Sequence, residues 1–207
     1  GERPQIEQLA AHAAARDVKL IVLSIGGNDI GFSDVIANCA KGFSLPQYLG
    51  WHCSKNLGPQ MPGRIDAMET KVEEVLRAVR DTMREAGYRD SDYRLVLQSY
   101  PSLIPRGADN RYPETSYARL NTGGCPFYND DSDWARDTLI PALSDAHEKA
   151  AANVGGGDFL DLQQALDGHE VCAKGVQQSV SGHTLVNPLP KAQSEWARFI
   201  VSGFAQG

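Results

Sequence analysis

Residues 18–32 read Val18-Lys19-Leu20-Ile21-Val22-Leu23-Ser24-Ile25-Gly26-Gly27-Asn28-Asp29-Ile30-Gly31-Phe32. The nearly continuous apolar run over residues 18–25 has the composition of a strand buried on both faces of a parallel sheet. The glycine pair breaks that run sharply, so a turn carrying Asn28 and Asp29 is expected at the strand's carboxyl end. Upstream, residues 4–16 predict a helix, with Pro4 near the first turn and Ile6, Leu9, Ala10 and Ala13 on one face. Downstream, residues 33–41 predict a short helix with Ser33 as its N-cap.

The same reading extends to the rest of the chain. Between residues 62 and 86, Ile65, Met68, Val72, Val75, Leu76, Val79 and Met83 recur at intervals of three and four, the stripe of a long amphipathic helix, with Gly87 as its C-cap. Residues 93–100 form a second strand, closed by Pro101, which cannot continue a central ladder. An irregular stretch to about Ser132 follows. Residues 133–153 read as a helix, Gly155-Gly156-Gly157 leads to a third strand at residues 158–162, and residues 191–204 give a last helix with Trp196, Phe199, Ile200 and Phe204 on one side. Alternating helices and strands imply an α/β fold, a parallel sheet with helices on both faces. Three strands are few for such a sheet, which ordinarily has about five, so part of the sheet is expected to be missing. No repeat or linker divides it, and residues 1–207 read as one domain.

With 207 residues, an apolar fraction of 42% and a charged fraction of 22%, the chain has the composition of a globular protein rather than a disordered one. The formal charge is −6 with both signs mixed along the chain, which leaves no basic stripe for nucleic acid. The longest apolar stretch is far short of a membrane span of roughly 20 residues. No secretory leader opens the sequence, so any export signal is expected upstream of Gly1. Cys39, Cys53, Cys125 and Cys172 lie in or beside Gly-, Pro- and polar-rich segments, which favours disulfides over zinc, whose sites use closely spaced cysteine pairs. Three connectivities are open. Pairing in sequence order, Cys39 with Cys53 and Cys125 with Cys172, closes the shorter loops and is the expected one. No metal and no cofactor are expected.

In an open parallel sheet, ligands bind beyond the carboxyl ends of the strands, which is where Asn28 falls. Gly26 and Gly27 permit backbone conformations and close approaches that other residues do not, and the Asn28 amide offers two donors. Taken alone, Gly26-Gly27-Asn28-Asp29 is an ordinary turn. The wider string from Leu23 to Phe32 closely resembles the third conserved block of the SGNH (GDSL) hydrolases, particularly their secreted actinobacterial lipase-like branch. Gln98-Ser99-Tyr100-Pro101 resembles the family's next strand end, and Gly168-His169-Glu170-Val171-Cys172 its late Gly-His-x-x-Cys segment. The resemblance implies a three-layer, flavodoxin-like sheet and an extracellular ester hydrolase without a cofactor. In it, Asn28 donates to the oxyanion of the tetrahedral intermediate, Asp29 is the block's structural aspartate, and Gly26 is its glycine. The implied substrate is a lipid, glycan or small ester.

The family's nucleophile lies in a Gly-Asp-Ser block and its base in an Asp-x-x-His block. This chain has neither, nor a Gly-x-Ser-x-Gly elbow. His12 and His147 fall in predicted helices and read as surface residues; His52 and His169 neighbour cysteines and read as packing around disulfides. His183 is the histidine left as a stand-in base. Truncation at both ends accounts for the missing serine, histidine and strands together, and implies that this chain alone is inactive. Flanking sequence or a second chain would then supply the nucleophile and base. The competing reading is a non-catalytic extracellular binding module on a degenerate hydrolase scaffold. Two weaker patterns remain. Asn129-Asp130-Asp131-Ser132-Asp133 departs from a calcium loop at Trp134 and Ile140 and reads instead as an acidic cluster favouring a helix N-terminus. Tyr100, Tyr112, Tyr117, Phe127 and Tyr128 either line a cleft or form a satellite core under the long loop.

Overall fold

The computed structural model describes residues 3–46, 48–121, 123–155 and 157–176. Their order is α1 (Gln5–Ala15), β1 (Leu20–Leu23), α2 (Phe32–Ser44), α3 (Cys53–Leu57), α4 (Met61–Glu85), β2 (Arg94–Gln98), α5 (Asn129–Trp134), α6 (Ile140–Val154) and β3 (Asp158–Leu160). The expected helix over residues 191–204 lies outside the described residues, as does His183. The chain groups into two compact units. One comprises Gly1–Ile30, Met61–Tyr100 and Pro141–Gln163; the other comprises Gly31–Gln60, Pro101–Ile140 and Gln164–Gly207.

The first unit holds a parallel α/β arrangement. Its sheet has the order β1-β2-β3, with Leu23 opposite Leu97 and Leu97 opposite Phe159, and both pairings are parallel. Parallel pairing needs a crossover, and α4 supplies the one between β1 and β2. The α4 stripe is buried at Met61, Ile65, Met68, Val72, Leu76, Val79 and Met83, whereas Val75, at the margin of the arc, is exposed. Ile21, Leu95 and Leu97 of the sheet and Leu143, Ala146, Ala150 and Ala151 of α6 complete this core. Gly87 ends α4 at φ +90°, with the Tyr88 N–H on the Met83 carbonyl at 3.0 Å, the closure a left-handed glycine permits. On β1 the burial alternates: Ile21 is buried while Leu20 is 58% and Val22 49% exposed. This corrects the expectation of burial on both faces: among the described residues one face of β1 is covered and Leu20 and Val22 on the other are not.

The strands are shorter than expected, Leu20–Leu23, Arg94–Gln98 and Asp158–Leu160 in place of residues 18–25, 93–100 and 158–162, and two helix starts also move. Gly31, at φ +71°, is the N-cap of α2, and Ser33 sits inside its first turn without a capping bond. Glycine takes the left-handed conformation that lets the chain leave the Asn28 turn one residue earlier. The helix expected at residues 133–153 begins instead at Asn129, and a π turn, Ala135–Leu139, joins α5 to α6. Pro141 has no N–H to give the Asp137 carbonyl, which accounts for the widened turn.

The second unit is organised by cross-links and buried polar groups rather than a sheet. Disulfides join Cys39 to Cys53 and Cys125 to Cys172. The Asp131 carboxylate, buried on α5, accepts from the Cys53 N–H at 3.2 Å, the Ser54 N–H at 2.9 Å and the Ser54 hydroxyl at 2.7 Å, so it caps α3. Asp133 accepts from the Gly107 N–H at 2.8 Å. These acidic residues therefore act as hydrogen-bond acceptors around a helix start. Arg119 is buried inside the irregular stretch and donates to the carbonyls of Tyr112 (3.0 Å), Gly107 (3.2 Å) and Phe127, and to the Asn129 side chain. Burial pulls its guanidinium below the usual arginine range, against the Glu114 and Asp133 charges. Phe43 packs edge-on against Tyr117 and Tyr128, with ring centroids 6.3 and 5.1 Å apart, a satellite cluster under the loop.

Candidate functional site

The turn after β1 is built by contacts within the first unit. Gly26 is buried at φ +102°, and a Cβ there would lie 2.7 Å from the Met68 sulfur and 3.3 Å from His147 Nε2. Only glycine fits both the backbone angle and the space. The Asp29 and Ile30 N–H groups return to the Gly26 carbonyl at 3.1 and 3.4 Å and close the turn. Asp29 accepts from Lys71 of α4 at 2.7 Å, and that bond raises the Lys71 ammonium above the usual lysine range. Arg64 donates to the Ile30 carbonyl at 3.1 Å.

Two side chains remote in sequence hold the turn from below. The Gly27 N–H donates to the Tyr100 hydroxyl at 3.2 Å, and a Cβ on Gly27 would meet the same ring at 3.3 Å. His147 is fully buried on α6, with Nε2 2.8 Å from the Ile25 carbonyl and Nδ1 2.6 Å from the Leu143 carbonyl. A carbonyl only accepts and a neutral imidazole carries one N–H, so the ring donates to whichever of the two carbonyls its tautomer faces, and the other contact is close packing against a carbonyl. The Tyr100 and His147 rings pack edge-to-face at 5.8 Å. Burial pushes the Tyr100 phenol above the usual tyrosine range, against the pull of its hydrogen bonds with Gly27 and Ser24. Its hydroxyl therefore keeps its proton at neutral pH.

Asn28 stands on top of this support. It is exposed, and its side-chain amide has no hydrogen-bond partner among the described residues. Two N–H donors are thus available at the carboxyl end of a parallel strand, which is suited to meeting an oxygen that gains negative charge. Nearby, Ser99 at the end of β2 is buried and donates to Asp161 at 3.1 Å while receiving the Leu162 N–H at 2.7 Å. Burial pushes the Asp161 carboxyl upward, but hydrogen bonds from the Gln163 N–H, Ser99, the Gln163 side chain and Ser144 outweigh it and hold it below the usual carboxylate range.

Of the residues singled out by sequence, Gly26, Gly27, Asn28 and Asp29 form this turn and Tyr100 supports it. The segment from Gly168 to Cys172 belongs to the second unit, where Glu170 is buried and pairs with Arg136 at 2.7 Å and Cys172 bonds Cys125. His147 corrects the expectation of a surface residue. Leu139, Leu143, Ala146 and Ala150 are all buried, and His147 falls on the same arc, a signal present in the spacing. His12 is exposed; His52 stacks on Tyr128 at 4.5 Å beside Asp131. The cluster of Cys39, Cys53 and Asp131 has ligand-like spacing, but both sulfurs are consumed in the disulfide. No described helix is long and apolar enough to cross a membrane.

No family model matches the chain. In sequence it is similar to an esterase from Streptomyces scabiei, 27% identical over 181 residues, which cover 82% of this chain and 50% of that protein. The chain thus spans about half the length of the curated relative it matches. Among solved structures, the extracellular lipase of Streptomyces rimosus aligns with a TM-score of 0.45 at 18% identity, over 94% of this chain and 72% of that one. The phospholipase A1 of Streptomyces albidoflavus aligns with a TM-score of 0.41 at 17% identity, over 94% and 70% of the two chains.

Proposed function

We propose that this chain is the central portion, in one domain over residues 1–207, of a secreted SGNH-type serine ester hydrolase, with Asn28 as a donor of its oxyanion hole. The observation that carries the reading is the Asn28 amide, exposed and uncommitted on a turn fixed on three sides at the carboxyl end of β1. Sequence similarity to an esterase over four-fifths of the chain supports it, and the two disulfides accord with an oxidising compartment. When a serine oxygen attacks an ester carbonyl, the carbonyl oxygen takes up negative charge. A fixed amide N–H stabilises that charge far more than the ground-state carbonyl, and so lowers the barrier rather than tightening binding. The serine and the base that deprotonates it come from flanking sequence or from a second chain. Lipid, glycan and small esters are the substrate classes, and no metal or cofactor takes part.

The test is hydrolysis of a short-chain nitrophenyl ester by the full-length protein, its Asn28→Ala variant and the isolated chain. The variant is expected to lose about a hundred- to a thousand-fold in kcat with little change in KM, the effect of one lost donor in a preorganised hole. The isolated chain is expected to be inert, because without a nucleophile no charge develops for Asn28 to stabilise. Unchanged turnover in the variant would return Asn28 to an ordinary turn residue. Robust turnover by the isolated chain would place a nucleophile inside it and make His183 the first histidine to replace.

A further inference from the structure

We infer that Tyr100 and His147 are positioning residues that together hold the backbone from Ile25 to Asn28, and so aim the Asn28 amide. The inference rests on the function proposed above. A turn of two glycines is intrinsically soft, since each glycine has the widest choice of backbone angles. Four backbone groups along it have hydrogen-bond or close polar contacts among the described residues. The Asp29 and Ile30 N–H groups bond within the turn, to Gly26. The other two, the Ile25 carbonyl and the Gly27 N–H, have no partner in the turn and are taken up by His147 and Tyr100. They lie on either side of Gly26, so the pair of bonds fixes the peptide planes leading into Asn28.

Three further observations make this a clamp rather than incidental packing. The two rings pack edge-to-face with centroids 5.8 Å apart, so each limits the room of the other. The His147 ring is fully buried on α6, with Nδ1 2.6 Å from the Leu143 carbonyl of its own helix, so little room is left for it to turn. Tyr100 lies two residues past β2, the central strand of the described sheet, whose register against β1 is set by four residue pairs. The Gly27 N–H is committed to Tyr100, whereas the exposed Asn28 side-chain amide is uncommitted. Donor groups must sit within about half an ångström of the productive position, and a misplacement of about 1 Å can cost on the order of a hundred-fold in rate.

The decisive experiment is a double-mutant cycle in the full-length protein with Tyr100→Phe and Asn28→Ala, read as kcat and KM on a nitrophenyl ester. Tyr100→Phe removes one oxygen and keeps the ring. It is expected to lower kcat about tenfold with KM within twofold, and to have less than a twofold effect once Asn28 is already Ala. Equal losses in both backgrounds would mean a general structural role and would overturn the inference. So would an unchanged kcat in Tyr100→Phe while Asn28→Ala alone costs a hundred-fold, an outcome that leaves the proposed function standing. An inert Asn28→Ala substitution would remove both. His147→Gln, whose amide can reach the Ile25 carbonyl, is expected to retain most of kcat where His147→Phe does not; equal activity of the two would also overturn it. Independently of turnover, amide hydrogen exchange at Gly27 in this chain should accelerate at least tenfold in Tyr100→Phe, and an unchanged rate would refute the bond's role.

Discussion

Replacing Gly26 with Ala tests the turn through stability alone. The backbone there has φ +102°, beyond even the left-handed helical well, and an L side chain in such a conformation costs roughly 1–3 kcal/mol. The added Cβ would lie 2.7 Å from the Met68 sulfur and 2.9 Å from its Cγ. An ordinary contact needs about 3.5–4.0 Å, so the methionine must retreat by roughly 1 Å. Met68 is flexible but fully buried between α4 and its core, and overpacking of this kind costs about 1–3 kcal/mol. Taking the lower part of each range, because the methionine end yields, the expected loss is about 3 kcal/mol. Gly155→Ala is the control. Its φ is +71°, but nothing lies within 4 Å of the new methyl group, so the backbone acts alone and the loss should be about 1 kcal/mol. Urea unfolding followed by circular dichroism gives both values. Equal losses at the two positions would show that Met68 and His147 do not crowd Gly26, and the packing of the turn would have to be redrawn.

Two further outcomes are expected. The chain-entropy model assigns about 3 kcal/mol to a cross-link of Cys39 to Cys53 and about 4 kcal/mol to one of Cys125 to Cys172, whose separations are 14 and 47 residues. Paired alanine variants should therefore unfold at lower denaturant, the second pair more so, and non-reducing peptide mapping that found a crossed pairing would contradict the assignment. The Asp161 carboxyl, held below its unfolded value, contributes stability that is present above the ordinary carboxylate range and is lost as pH falls through its folded value. Asp161→Asn should thus be less stable than the parent at pH 7 and lose less than the parent on acidification to pH 3; parallel pH profiles of the two would refute the linkage.

Much of the first unit was legible in the sequence because its signals are local. The α4 stripe keeps the helical period from Met61 to Met83, about six turns, and the Gly26-Gly27 break ends an apolar run where a parallel strand would place a site. What stayed hidden depends on contacts across long separations. Gly27 and Tyr100 are 73 residues apart, and Ile25 and His147 are 122 apart; only the register of β1 on β2 and the docking of α6 bring them together. A histidine on a helix ordinarily points to solvent, which hides His147, although its neighbours at three and four share the buried arc. The early start of the helical run at Asn129 was obscured by its acidic composition, which suits a helix's first turn as well as a loop. Strand ends were overestimated for the same reason: apolar residues flanking β1 look alike whether or not they join the ladder.

Backbone without sheet or long helix is ordinarily where a protease enters a folded chain, because such segments can be drawn out locally into an active-site cleft. The irregular stretch after β2 contains Arg106, Arg111 and Arg119, the side chains a trypsin-like enzyme prefers. Arg119 turns this around. Its guanidinium lies inside, drawing in the carbonyls of Gly107, Tyr112 and Phe127 together with Asn129, so the bond that follows it can be presented only after four attachments are broken at once. The residue that would mark the loop for cleavage is thus the one that closes it against digestion.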